Sequence, residues 1–283
     1  MSGKAIRRGF VDVGPLQVHY RAAGPEGGIP LAMIHASPGS SRQLEPLIAA
    51  FAAAGRRAIA PDTAGNGDSA PLAIAEPSIP DLSAHAAAAH AGLAPDGYHL
   101  YGSHTGASIA MEIAIADPVR VRSLVIDGMG LYPPDFRSEV LARYAREIRP
   151  DAEATHLMKV WHFCRDQFLF WPYYNRTAEG RLPNGLPDDE ALHDVVVEVL
   201  KAVRTYHLSY RAAFRHPKRE RLPLVTVPTL VVSSPSDMLH GFFGDVAALV
   251  PGAVAAELLP WGDPEHHRDA ARTIGAFLDG AAP

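Results

Sequence analysis

The chain has 283 residues, a formal net charge of −5 and a pI near 6.3. This balance excludes the strongly basic character that favours nucleic acid or anionic membranes as partners. A single cysteine excludes an internal disulfide and is typical of a reducing, cytoplasmic compartment, and no apolar run approaches the ~20 residues of a membrane helix.

Apolar segments predict strands and helices in regular alternation along the first part of the chain. Two antiparallel strands are predicted within residues 6–22. The run Pro30–His35 fits a buried parallel strand. A helix from Gln43 to Ala54, a strand at Arg57–Ala60 and an Ala-rich helix over residues 79–93 follow. This order predicts a mostly parallel α/β sheet that is covered by helices on both faces.

The stretch 98–108 carries the strongest local motif. It predicts a strand, a sharp turn and a helix, with glycines at Gly102 and Gly106 on either side of His104. This is the spacing of a nucleophile elbow, G-x-Nuc-x-G, with an imidazole at the central position. Ser103 falls on the first x of the pattern, so it is the alternative candidate. We expect His104 to have a positive φ, since His is one of the few side chains that adopt this region.

The alternation stops at residue 133 and resumes at a strand over Val227–Ser234. Residues 133–218 are helical in pattern and rich in aromatic residues, which predicts a helical cap or lid. The predicted domains are an α/β core of residues 1–132 and 219–283 and a cap of residues 133–218.

Several ordered motifs resemble those of the α/β-hydrolase fold family, and the resemblance covers nearly the whole chain. Residues 35–39 match the family's HG-x-P-G loop, with Ala36 in place of Gly. Residues 61–69 match PD-x-x-G-x-G-x-S, and residues 228–232 followed by Asp237 match the strand that delivers the catalytic acid. The resemblance implies a twisted, mostly parallel sheet flanked by helices, with a helical cap and a cofactor-free hydrolytic site.

The family's order of nucleophile, acid and histidine implies partners for His104. Asp237 is the predicted acid. Asp127, at the end of the strand after the elbow helix, is a second candidate that we interpret as a buried carboxylate ordering a loop. The terminal histidine is either His266 or His267, both expected in the first turn of the last helix.

Amides near the elbow are expected to hold an oxyanion. The N–H of Thr105 and that of Ser37 or Ala36 are the predicted donors. His104 is expected to be neutral near pH 7, because the positive end of a helix disfavours an imidazolium. It would act as a base towards water or as a nucleophile that forms an acyl-imidazole. The supporting or alternative candidates are Ser103, His35 and Asp127.

Aromatic residues of the predicted cap, interleaved with cationic ones, favour a pocket for a ring-bearing or acidic organic substrate. The predicted pocket residues are Trp161, Arg165, Phe168, Trp171 and Tyr206. No metal motif is visible in the sequence.

The predicted function is cofactor-free hydrolysis of a small carbonyl compound, namely an ester, a lactone or a C–C bond next to a ketone, by a monomer or homodimer. Two alternatives remain open. The first is a cofactor-independent lyase, isomerase or oxygenase on the same fold. The second is a non-catalytic ligand-binding protein, in which His104 is an inactive or engineered replacement.

Overall fold

The computed structural model describes residues 5–183 and 185–280. Residues 1–4 and 281–283 of the predicted core and residue 184 of the predicted cap lie outside this part. Within it, eight strands form one sheet, in the order β1-β2-β4-β3-β5-β6-β7-β8. The strands are β1 (Arg7–Val13), β2 (Leu16–Ala23), β3 (Leu31–Ile34), β4 (Ala58–Pro61), β5 (Tyr98–Ser103), β6 (Val121–Asp127), β7 (Thr229–Ser233) and β8 (Val254–Glu257).

The direction of the strands decides where functional groups meet. The pairs β1–β2 and β2–β4 are antiparallel, and all other neighbouring strands are parallel. The carboxyl ends of β3, β5, β6 and β7 therefore lie at one edge of the sheet, where α/β proteins place their ligand sites. The predicted mostly parallel sheet is confirmed.

Helices cover the sheet and fill the connections. They are α1 (Glu45–Ala53), α2 (Ile79–Leu93), α3 (Thr105–Ala116), α4 (Pro134–Arg143), α5 (Thr155–Leu169), α6 (Asp189–Lys201), α7 (Tyr206–Arg215), α8 (Lys218–Arg221), α9 (Phe243–Leu249) and α10 (His266–Gly280), with 3-10 turns at Ser41–Leu44, Leu222–Leu224 and His240–Phe242. None of the helices in the described ranges has the length and apolar character needed to cross a bilayer.

The sheet has an apolar layer on each face. Leu100 and Leu124 belong to the layer that packs against α2, α3 and α9. Met33 and Tyr101 belong to the opposite layer, which packs against α1 and α10. Burying a large apolar side chain of this kind contributes about 1.5–3 kcal/mol to the stability of the fold. The two layers therefore stabilise the strands whose carboxyl ends carry the site.

The first predicted helix starts later than its sequence pattern suggests. Residues Ser41–Leu44 form a 3-10 turn, and α1 begins at Glu45 instead of Gln43. Pro46 explains the boundary, because a proline has no N–H to donate and is accommodated best in the first turn of a helix.

The segment between β6 and β7 contains α4 to α7, as the helical pattern of residues 133–218 predicts. Its described residues form no strand beyond an isolated bridge between Phe170 and Arg181. Side chains of these helices, including Phe163, Val199 and Tyr206, form an apolar cluster of their own. The division of the chain into a core and a separate cap stays a prediction.

Candidate active site

His104 lies at the turn between β5 and α3, with φ 51° and ψ −107°. The expected positive φ is confirmed. A Cβ on Gly102 would clash with the carbonyl of Gly106, and a Cβ on Gly106 would clash with the carbonyl of Ile34. Both glycines are therefore required by close backbone approach, and the turn projects the imidazole from the carboxyl edge of the sheet.

The imidazole of His104 contacts a carboxylate directly. Its Nε2 lies 2.9 Å from Oδ2 of Asp237, in the loop that follows β7. The Asp237 side chain is fully buried, whereas that of His104 is 22% exposed. The other carboxylate oxygen, Oδ1, accepts a hydrogen bond of 2.8 Å from the N–H of Leu239. The structure thus brings two of the predicted site residues into contact, and each oxygen of the Asp237 carboxylate has a hydrogen-bonding partner.

A glycine makes this pair possible. Gly128 directly follows β6 and has a φ of +69°. A Cβ at this position would lie 2.6 Å from Oδ2 of Asp237 and 2.7 Å from Cδ2 of His104. The pair therefore occupies space that any other residue at position 128 would take. No motif in the sequence marks Gly128, although a glycine at the end of a buried strand is a signal of close approach.

The carboxylates change the protonation of His104. Burial is the largest influence on its pKa and favours the neutral ring, but the charge and hydrogen bond of Asp237 and the charge of Asp127 outweigh it. The pKa of His104 is therefore raised above its ordinary value of about 6.5. The two carboxylates act in the direction opposite to that expected from the end of α3, and the neutral state of the ring near pH 7 stays a prediction.

Asp237 shows the converse effect. Burial raises the pKa of its carboxyl, but the charge and hydrogen bond of His104 and the N–H of Leu239 outweigh burial, so the pKa is lowered. Asp237 is therefore ionised at neutral pH and favours the protonated form of His104.

A second histidine orders the predicted oxyanion loop. The Nδ1–H of His35 donates to the carbonyl of Ala36 at 2.7 Å, and its Nε2 accepts from the N–H of Thr63 at 2.9 Å. These two partners fix the neutral tautomer, and burial lowers the pKa of His35. The loop that carries Ala36 and Ser37 is thereby held next to the elbow.

His104 lines a cavity of about 240 Å³, called here the His104 cavity. Ala36, Ser37 and Thr105, the three predicted oxyanion residues, line it. Its aromatic lining residues are Tyr132, Tyr144, Phe168, Trp171, Tyr210, Phe214 and Trp261. The volume and the largely apolar wall suit a small organic molecule.

The structure corrects three of the five pocket predictions. Phe168 and Trp171 line the His104 cavity, but Trp161, Arg165 and Tyr206 do not. Trp161 is on the exposed side of α5. Both Nε and Nη2 of Arg165 donate to the neighbouring Asp166. Tyr206 is buried among the helices and donates to the carbonyl of Arg146.

The terminal histidines lie in the first turn of α10, as expected, but they line a different cavity from the one at His104. His266 and His267 line a neighbouring cavity of about 230 Å³ together with Ser103 and Asp127, and neither lines the His104 cavity. The Nδ1–H of His266 donates to the carbonyl of Leu259 at 2.6 Å, which fixes this ring in the first turn of α10. Asp237 already has His104 as its imidazole partner, so the site contains a dyad rather than the expected triad.

Asp127 lines the neighbouring cavity, and its backbone is hydrogen-bonded to that of His104 at the elbow. Its carboxylate accepts a hydrogen bond of 2.5 Å from the hydroxyl of Tyr101, and its carbonyl accepts one of 3.0 Å from the N–H of His104. Burial raises the pKa of Asp127 to about 6, although the Tyr101 hydroxyl acts in the opposite direction. These contacts agree with its interpretation as a carboxylate that orders a loop.

One group of side chains within the described residues has the spacing of metal ligands, namely His19, Asp62 and Asp68. Hydrogen bonds already connect this group. Nδ1 of His19 lies 2.9 Å from Oδ2 of Asp62, and Oδ1 of Asp62 accepts from the N–H of Ser41. His19 is on β2 and the two aspartates are in the loop after β4, and none of the three lines the His104 cavity.

Known proteins of several kinds are similar to this chain in sequence or in structure. No protein-family model matches the chain. Over 133 residues, the chain is 38% identical to 2-hydroxy-6-oxononadienedioate/2-hydroxy-6-oxononatrienedioate hydrolase 2 of Pseudomonas putida, but the match covers only 44% of this chain and 43% of that protein. The chain is also similar to the crystal structure of epoxide hydrolase A from Mycobacterium thermoresistibile, with a TM-score of 0.72, 21% identity and coverage of 98% and 99% of the two chains.

A further solved structure is also similar to this chain. The enol-lactonase from Burkholderia xenovorans LB400 has a TM-score of 0.70 at 18% identity and matches 96% of this chain and all of its own. The chain has the α/β-hydrolase fold. At these identities the structural likeness establishes the fold, and the reaction has to be argued from the residues of the site.

Proposed function

We propose that this α/β-hydrolase-fold protein hydrolyses a small organic carbonyl compound, such as an ester, a lactone or a C–C bond next to a ketone, without a cofactor. The contact of 2.9 Å between His104 and Asp237 at the mouth of an aromatic cavity carries the proposal. The name of the Pseudomonas putida relative, a hydrolase of an oxo-dienedioate, supports this class of substrate.

The dyad determines which nitrogen reacts. A neutral imidazole has one N–H and one lone pair. When the Nε2–H of His104 donates to Asp237, the lone pair is on Nδ1. Nδ1 would then take a proton from water while the water oxygen forms a bond to the substrate carbonyl carbon. The resulting imidazolium is stabilised by Asp237, as an aspartate stabilises the histidine in serine hydrolases.

The amides of the elbow and the loop complete the proposed reaction. The N–H of Thr105 and that of Ser37 or Ala36 would hold the carbonyl oxygen as it gains negative charge, and each donor of this type contributes about 3 kcal/mol. Collapse of the tetrahedral intermediate breaks the bond to the leaving group, which receives the proton from His104. The imidazole returns to its neutral form.

The lining of the cavity favours a base over a nucleophile. An acyl group on Nδ1 would occupy the only imidazole among the described residues that line the His104 cavity. No second imidazole would then activate the water that must cleave the intermediate. Direct activation of water by His104 needs no second base, and the raised pKa increases its strength as a base.

The test is turnover of a panel of esters, lactones and β-diketones by the wild type and by His104→Ala and Asp237→Asn. Each substitution is expected to lower kcat/KM by ~10²–10⁴-fold, the usual contribution of a positioned general base. The exposed His193 on α6 provides a matched control, and His193→Ala should retain full activity.

Intact mass spectra taken during turnover separate the two routes. Water activation predicts no acyl-protein, whereas an acyl group on His104 would establish the nucleophilic route. Retained activity in His104→Ala with loss in His267→Ala would instead support lyase, isomerase or oxygenase chemistry in the neighbouring cavity. Specific ligand binding without any turnover would support a non-catalytic protein. The cytoplasmic location and the monomeric or dimeric state remain predictions.

A further inference from the structure

Lys218 is a buried cation at the wall of the His104 cavity. Its side chain begins at the short helix α8, and only 8% of the residue is exposed. Nζ donates one hydrogen bond of 2.6 Å to the carbonyl of Ala213 and lies 5.9 Å from the centre of the Tyr132 ring. An ammonium has three N–H donors, so two of them have no partner within the described part of the chain.

Among the described residues, no carboxylate forms a salt bridge with Lys218 or influences its pKa. The influences on the pKa of Lys218 are burial, the largest, and the charge of Arg137, and together they lower it to about 8. Arg21, which is also deeply buried, differs, since its side chain lies 2.6 Å from that of Glu45 and 3.9 Å from that of Asp62. Buried lysines are almost always paired, because an uncompensated charge is costly. The positive charge of Lys218 at the wall of the His104 cavity therefore has no carboxylate partner within the described ranges.

The surroundings of Lys218 define what it could bind. It also lines a third cavity, of about 500 Å³, which shares Tyr132 and Phe214 with the His104 cavity. Of the other charged groups around the third cavity, Arg219 is paired with Asp245, while Arg137 is exposed at the surface and Glu220 is the acidic residue. Lys218 thus lines both cavities, and its Nζ has the Tyr132 ring beside it.

We propose that Lys218 binds a carboxylate of the substrate. The substrates would then be small carbonyl compounds that carry a carboxylate, with the reacting carbonyl at His104 and the acidic group at the ammonium. The assignment of the carbonyl depends on the proposed function, whereas the assignment of the carboxylate depends only on Lys218 and its cavity.

The first test compares mono-4-nitrophenyl glutarate with its terminal carboxamide, two esters that differ only in charge. The wild type is expected to prefer the carboxylate, and Lys218→Met is expected to lower the ratio of the two kcat/KM values by about 10- to 100-fold, as for loss of a hydrogen bond to a charged group. Lys218→Arg should keep much of the preference. Lys159 is exposed on α5, and Lys159→Met should leave the ratio unchanged.

The second test measures binding without chemistry. Phenylacetate and phenylacetamide are titrated while the fluorescence of Trp171 and Trp261, which line the cavity, is followed. Preferential binding of phenylacetate that is lost in Lys218→Met supports the carboxylate site even if no ester is hydrolysed, which would refute only the proposed function. Equal binding of both compounds by wild type, or an unchanged preference in a folded Lys218→Met, overturns the proposal.

Discussion

Replacing Gly128 with alanine should separate His104 from Asp237 without removing either side chain. The added Cβ would lie 2.6 Å from Oδ2 of Asp237, and ordinary van der Waals contact begins at 3.4 Å, so the carboxylate must move by about 0.8 Å. A misplacement near 1 Å in a catalytic group costs about 100-fold in rate. We therefore expect kcat/KM to fall by about 100-fold, with the pKa of His104 moving down as Asp237 recedes.

Gly252 provides the matched control for this experiment. It has the same φ of +69°, but a Cβ there would meet nothing within 4 Å. Both alanine variants carry a backbone strain of about 1–2 kcal/mol, so both should lose stability in denaturant unfolding. Only Gly128→Ala should lose activity and show a lowered imidazole pKa in an NMR titration. Equal activity of the two variants, or an unchanged His104 titration in Gly128→Ala, would refute the role assigned to the dyad.

Three further predictions follow from the same geometry. First, the proposed base is the neutral ring and the pKa of His104 is raised, so kcat/KM should rise with pH through a midpoint above about 6.5. Asp237→Asn should move this midpoint to lower pH. An unchanged midpoint in the variant would contradict the pairing of His104 with Asp237. Second, His104→Ser should stay below about 1% of wild-type activity, because no other imidazole among the described residues lines the His104 cavity to activate the new hydroxyl. An efficient serine enzyme with an acyl intermediate would show that His266 or His267 reaches the elbow. Third, Tyr101→Phe removes a donor to Asp127, whose pKa is about 6, so unfolding experiments should show a loss of about 1.5–3 kcal/mol at pH 8 and less at pH 5. The same loss at both pH values would show that the hydroxyl does not stabilise the ionised carboxylate.

The elbow could be predicted from sequence because its signal is local. Gly102 and Gly106 are required by backbone contacts within a few residues of the turn, and the positive φ of His104 follows from the same turn. The continuous apolar runs likewise predict buried parallel strands without knowledge of their neighbours. The pairing order of the strands depends on contacts between distant segments, which the sequence pattern does not record.

Side-chain direction in the site could not be predicted in the same way. His266 and His267 are the candidates that the family's chain order implies, yet both line the neighbouring cavity, and the carbonyl of Leu259 fixes the ring of His266 there. Trp161 and Phe168 are on the same helix, but only Phe168 faces the His104 cavity. Lys218 belongs to no sequence motif, because its proposed role depends on the cavities that it lines in three dimensions.

Two carboxylates with opposite pKa shifts control the elbow imidazole. Asp237 is ionised with a lowered pKa, whereas the pKa of Asp127 is raised to about 6. As the pH rises, Asp127 loses its proton and its charge then favours the imidazolium of His104. The charge of Asp127 therefore acts in the same direction as that of Asp237 on the pKa of His104. A serine at this position would need a separate histidine to accept its proton, but an imidazole hydrogen-bonded to Asp237 would combine the place of the nucleophile with the proposed function of the base.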